Sequence, residues 1–106
     1  MTAAGTTGAL GGRWRADVTV WGAVVPRDGS AVLDWAIAAD DRWHRPRDET
    51  TVRQQRPGGL PVFETRMRIP GGDAVQRVWS AADAGGLTLV EITNDSPLPI
   101  AAAFTR

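Results

Sequence analysis

The sequence predicts an all-β protein, an antiparallel β-sandwich of about seven strands, on three observations. Turn signals recur at short intervals from residue 27 onward: RDGS, RPRD, RPGG, PGGD, DAGG and NDSP. The segments between them have strand length and lack the 3.6-residue periodicity of a helix. Several of them alternate apolar and polar residues, the period of a half-buried strand.

Taken in order, WRADVTVWGAVV places Trp14, Ala16, Val18 and Val20 on one face and Arg15, Asp17 and Thr19 on the other. AVLDWAIAA sets Leu33, Trp35 and Ile37 together, and a weak strand follows at residues 51–55. VFETRMRI sets Phe63, Thr65, Met67 and Ile69 against Glu64, Arg66 and Arg68. Residues 74–81 and the run LTLVEI carry apolar groups on both faces, which places them mid-sheet. PGGD and DAGG are short Gly-containing reversals, so the strands between residues 62 and 92 are expected to be sequential antiparallel neighbours. In NDSP, Asn94 and Asp95 favour a side-chain-bonded turn while Pro97 and Pro99 remove two ladder donors, which predicts a crossing between sheets. A last strand follows at residues 100–104. Seven strands with apolar faces call for two packed sheets, because one open sheet would leave an apolar face in water.

A chain of 106 residues is the size of one domain. Residues 13–106 are assigned to it. The Gly/Ala/Thr-rich residues 1–12 are expected to be a frayed segment or short linker, since they contain little to bury. The apolar final strand with nothing after it leads to the expectation that the domain is incomplete at its C-terminus. There is no cysteine, so disulfides and thiolate metal sites are excluded. The formal charge is zero, which gives no electrostatic ground for nucleic acid or an anionic membrane as partner. All 12 basic residues are Arg, which a genome rich in G and C produces through codon usage. No apolar run is long enough to span a bilayer, and no signal-peptide pattern opens the chain, so a cytoplasmic location is expected.

Candidate chemistry is sparse. His44 lies in AADDRWHRPRDE near Asp40, Asp41 and Asp48, but Arg42, Arg45 and Arg47 in the same loop oppose a cation. No metal site is assigned, and a solvated loop with internal Arg–carboxylate pairs is expected. His44 as a base for Ser30, Ser80 or Ser96 has no support in the spacing. No catalytic residue and no cofactor are assigned, and a small enzyme using loop 40–49 is the weakest alternative. The aromatic inventory is unusual, with five Trp, two Phe and no Tyr. Trp14 and Trp35 share faces with core residues. Trp21, Trp43 and Trp79 are the candidate ligand-binding residues, because an exposed indole face stacks on a sugar ring or a guanidinium. The bland alternative is that each covers a core edge or an interface.

The order PVFETRMRIPGGDAVQRVWSAADAGGLTLVEITNDSPLPIAAAF resembles the N-terminal, non-catalytic β-sandwich of bacterial proteins related to (α/α)6-barrel glycoside hydrolases, the glycogen-debranching and glucoamylase-like group. The likeness covers residues 61–106 and contains no catalytic signature. It implies an accessory role, packed against a helical catalytic domain or partner protein, with carbohydrate contact allowed but not required. A free-standing carbohydrate-binding module is the alternative.

Overall fold

A computed structural model describes residues 3–8, 15–81 and 87–106, and its strands are all antiparallel. In chain order they are β1 (Ala3–Thr7), β2 (Ala16–Thr19), β3 (Val24–Pro26), β4 (Asp34–Ala38), β5 (Trp43–His44), β6 (Arg53–Gln55), β7 (Phe63–Ile69), β8 (Gly72–Ala81), β9 (Leu87–Asp95) and β10 (Ala101–Thr105). Single 3-10 turns cover Pro46–Asp48 and Pro57–Gly59. Three sheets result, with orders β1-β2-β3, β10-β4-β5 and β6-β7-β8-β9. A bridge between Val24 and Leu33 joins the first two sheets, and their inner faces cover the third.

The expected seven segments all form strands, but the count is ten among the described residues, because β1, β3 and β5 add to them. Residues 3–7, expected to be frayed, pair with β2. What holds them is hydrogen bonding rather than apolar burial: Thr6 Oγ1 donates to Asp17 at 3.0 Å, and the Thr7 and Ser80 hydroxyls are 2.7 Å apart. The run read as one strand from Trp14 breaks after Thr19. Ala16 and Val18 are buried as expected, but Val20 is 45% exposed because the chain reverses there. Trp14 and the DAGG reversal lie outside the described residues.

The core falls into two clusters on the inward face of the four-stranded sheet. Phe63 and Val78 pack on Ala16, Val18 and Val24, and Met67, Ile69 and Ala74 pack on Trp35 and Ile37. This is the face that alternation in VFETRMRI predicts. β8 is central, as expected, whereas β9 is an edge strand with Leu87 and Leu89 exposed. The β7–β8 reversal is a two-residue turn through Pro70 and Gly71, the latter at φ 83°, a value that Gly adopts without strain. After β9 the chain crosses to the other layer, since β10 pairs with β4. The crossing is fixed by Asn94 Nδ2 donating to Leu98 O at 2.7 Å and by Ser96 Oγ donating to Asn94 Oδ1 at 2.6 Å.

Between β2 and β3 the turn from Thr19 to Gly22 has buried ends and an exposed Val20, and its buried backbone carbonyls must find donors. Three side chains from three strands supply them. Gln54 Nε2 donates to Thr19 O at 2.8 Å, Trp35 Nε1 to Trp21 O at 2.7 Å, and Gln76 Nε2 to Gly22 O at 2.8 Å. Gly22 sits at φ 89°, and a Cβ there would collide with Gln76 Oε1 and stand 3.0 Å from Trp35 Nε1. A Gly22→Ala variant is expected to lose about 1–2 kcal/mol through the left-handed backbone and about 1–3 kcal/mol more through overpacking. Urea unfolding followed by Trp fluorescence measures this, and wild-type stability in G22A would contradict the close approach.

Candidate functional site

The three candidate Trp residues are not brought together. Trp79 lies opposite Leu89 on the outward face of the four-stranded sheet, half-buried. Trp43 pairs with Ala38 on β5, an edge strand, and is 48% exposed. Trp21 occupies the β2–β3 turn, half-buried, with the Arg47 guanidinium 5.7 Å from its ring centroid. Trp21 lines two surface depressions. One, of about 240 Å3, is bounded by Trp21, Ala23, Val32, Asp34, Arg47 and the end of β10. The second, of about 480 Å3, lies on the far side of Trp21 and Arg47, toward Val52 and Gln54.

Local structure explains how Trp21 and Arg47 meet. Trp21 is fixed through its own carbonyl, held by Trp35, so the indole is carried outward from a rigid turn. Pro46 is buried and opens the 3-10 turn, which directs Arg47 over the indole. A planar guanidinium is attracted to the ring face while its N–H edge stays available for hydrogen bonding. Arg47 thus takes one face of the indole, and a sugar ring stacking on that face would have to displace it. The indole Nε1 is enclosed and has no acceptor among the described residues. Arg47 and Arg106 form no ion pair among the described residues, and Asp34 Oδ1 is engaged with the Trp35 amide at 2.9 Å.

Loop 40–49 is organised around His44, which is buried rather than solvated. His44 Nε2 lies 2.8 Å from Asp41 Oδ1, and Nδ1 lies 2.9 Å from Glu49 Oε1. Arg42 Nη1 also donates to Glu49 Oε1, at 2.8 Å, the internal Arg–carboxylate pairing expected of this loop. The hydrogen bond with His44 holds the Asp41 carboxyl below its ordinary value against the opposing effect of burial. That from Arg42, with help from His44, does the same for Glu49. With both ring nitrogens facing carboxylates, His44 has none left to take a proton from a nucleophile. Ser80 bonds Thr7 and Thr88, and Ser96 bonds Asn94 and Leu98, so neither addresses His44. Asp40 and Asp48 are exposed, and no cluster of metal-ligating side chains occurs among the described residues.

The outward face of the four-stranded sheet carries a charge lattice. Glu64 is 4% exposed despite its expected outward position. Its two oxygens accept from Gln55 at 2.8 Å, Arg66 at 3.1 Å and Arg77 at 3.0 Å. Arg77 continues to Glu91 at 3.1 Å, and Asp73 receives Arg53 at 2.8 Å and Arg66 at 3.4 Å. The cross-strand register produces this, because Glu64 faces Arg77 and Arg77 faces Glu91. These carboxylates neutralise the guanidiniums they meet, so the lattice has no charge left over for a partner.

Compared with protein-family models, with curated proteins and with solved structures, the chain finds no match in any of the three. No helix long and apolar enough to cross a membrane occurs among the described residues.

Alternation could not reveal that Trp21 and Arg47 meet, because they are brought together by a turn and a proline-led 3-10 segment. The only sequence signal was Pro46 directly before Arg47.

Burial works to raise the Glu64 carboxyl, but the hydrogen bonds from Gln55, Arg66 and Arg77 outweigh it and hold it below the ordinary glutamate value of 4.5. A carboxyl lowered on folding contributes stability that is present above its unfolded value and is lost as pH falls through the folded one. The protein is therefore expected to weaken below about pH 4.5, and Glu64→Gln to flatten that acid limb. At pH 7 the same variant should cost about 1–3 kcal/mol through weakened charged hydrogen bonds. Chemical denaturation across pH 3–7 (a range chosen to bracket about pH 4.5) checks both, and parallel curves for wild type and E64Q would contradict the assignment.

Proposed function

We propose that this chain is a non-catalytic accessory β-domain of a carbohydrate-active, glycoside-hydrolase-like protein of the cytoplasm, docked through the β10 edge against a helical catalytic domain or partner. One observation carries the reading. Phe104 stands in register with Trp35, yet Trp35 is 2% exposed and Phe104 is 47% exposed. The inward side of the sheet thus continues past its cover at β10. β10 is also an edge strand with no Pro or charged residue within Ala101–Thr105 to blunt it. The exposed Ala102, on the same face as Phe104, leaves room for a helix to approach, and Phe104 offers it an apolar contact. The carbohydrate context is supported by the resemblance over residues 61–106. The non-catalytic character is supported by a His44 engaged at both nitrogens and by serines bonded elsewhere.

A second reading, a free-standing carbohydrate-binding module, is favoured by the depressions beside Trp21. Polysaccharide pull-down separates the two. Retention by wild type and loss in one of W21A, W43A or W79A would favour the module.

In isolation, the docking reading predicts weak self-association through the uncovered edge. Sedimentation velocity over a concentration series should show association that Phe104→Lys weakens by at least about tenfold, as expected for withdrawing one apolar side chain worth about 1.5–3 kcal/mol. A wild-type chain that is monomeric throughout, or equal association in F104K, would count against it.

A further inference from the structure

We propose that the depression between Trp21 and the end of β10 is a binding site for a small ring-bearing monocarboxylate. The site lies on the outward side of β4 and β10, where Asp34 is in register with Thr105, and so does not depend on docking at the inward-facing Phe104. Its polar lining residues are Asp34, Arg47, Thr105 and Arg106. Most arginines of the described residues meet a carboxylate: Arg27 with Asp17, Arg42 with Glu49, Arg53 and Arg68 with Asp73, and Arg66 and Arg77 with Glu64. Arg47 and Arg106, like Arg45 and Arg56, have no such partner among the described residues, and Arg47 and Arg106 both line one concavity.

Arg47 is the better organised of the two. It lies over the Trp21 ring, so the entropy of placing its guanidinium is already spent, and its N–H edge can fork the two oxygens of a carboxylate. The charges select the valence of the anion. A phosphate dianion would meet the Asp34 carboxylate, which disfavours it relative to a monoanion. Trp21, Ala23 and Val32 form the apolar part of the wall, a surface suited to the face of a ring. The volume of about 240 Å3 is several times the ~30 Å3 share of one water, room for one ring and not for an extended oligomer.

A ring carboxylate can be an aromatic acid or a uronic acid, and titration separates them. The intact chain is titrated with benzoate and with glucuronate at pH 7 while the indole N–H resonances are followed by NMR, the Trp21 signal being identified by its loss in W21F. Glucose and inorganic phosphate are titrated in parallel. The expected result is a saturable shift of the Trp21 signal with benzoate, glucuronate or both. Affinity should fall at least about tenfold in Arg47→Gln, the loss expected for charge-assisted hydrogen bonds. Arg106→Gln, at an exposed position, is the second variant and should weaken binding in the same direction. No shift with either carboxylate would overturn the proposal. So would an equal response to glucose or phosphate, or affinity unchanged in both R47Q and R106Q.

Discussion

The carbonyls of the turn between Thr19 and Gly22 are the constraint on which the rest of the structure depends. The two ends of the turn, Thr19 and Gly22, are buried, and an unpaired buried carbonyl costs about as much as a lost hydrogen bond. Gln54 from β6, Trp35 from β4 and Gln76 from β8 each donate to it. Three strands belonging to two sheets are therefore anchored to one turn of the remaining sheet. Gln76 is 2% exposed, and this bond satisfies its buried Nε2. The same anchoring holds the Trp21 backbone, which lets the indole stand as a fixed wall beside Arg47.

Charge is distributed in a complementary way. On the outward face of the four-stranded sheet, cross-strand register brings Glu64 between Arg66 and Arg77, and in loop 40–49 the Asp41 and Glu49 carboxylates enclose His44. These networks use up most carboxylates within their own neighbourhoods. What remains is uneven: Arg47 and Arg106, which form no ion pair among the described residues, lie at one depression with Asp34, and Phe104 is uncovered on the β10 edge. The two features lie on opposite sides of the same strand pair, so a docked domain at one would leave the other accessible.

Much of the fold was legible because alternation is a strong signal where one face is buried. Phe63, Met67 and Ile69, and likewise Trp35 and Ile37, were grouped correctly by period alone. The crossing after Asp95 was legible from Asn94, Pro97 and Pro99, whose chemistry opposes a hairpin. β1 was not, because AAGTT has no apolar period and is held by backbone pairing and threonine hydroxyls. β3 was hidden within an apolar run that continues through the reversal at Trp21, and β5 is two residues in a charged loop. Alternation put Glu64 on the outward face, where it lies, but its burial there was not legible, because only register shows that Arg66 and Arg77 close over it. For the site, the sequence pointed to three indoles, whereas the partner of Trp21 is Arg47, 26 positions along the chain.

Amide hydrogen exchange tests most directly whether the buried turn holds the layers together. The Ala23 amide, bonded to Thr19 Oγ1 at 2.9 Å, and the Gly22 amide, bonded to Thr19 O at 3.0 Å, belong to that turn. If the turn opens only when the whole structure does, both should exchange with the free energy of global unfolding, matching the slowest amides of β7 and β8. Exchange of Gly22 and Ala23 through a local opening, at rates like those of the exposed loop around Gly29, would contradict the account.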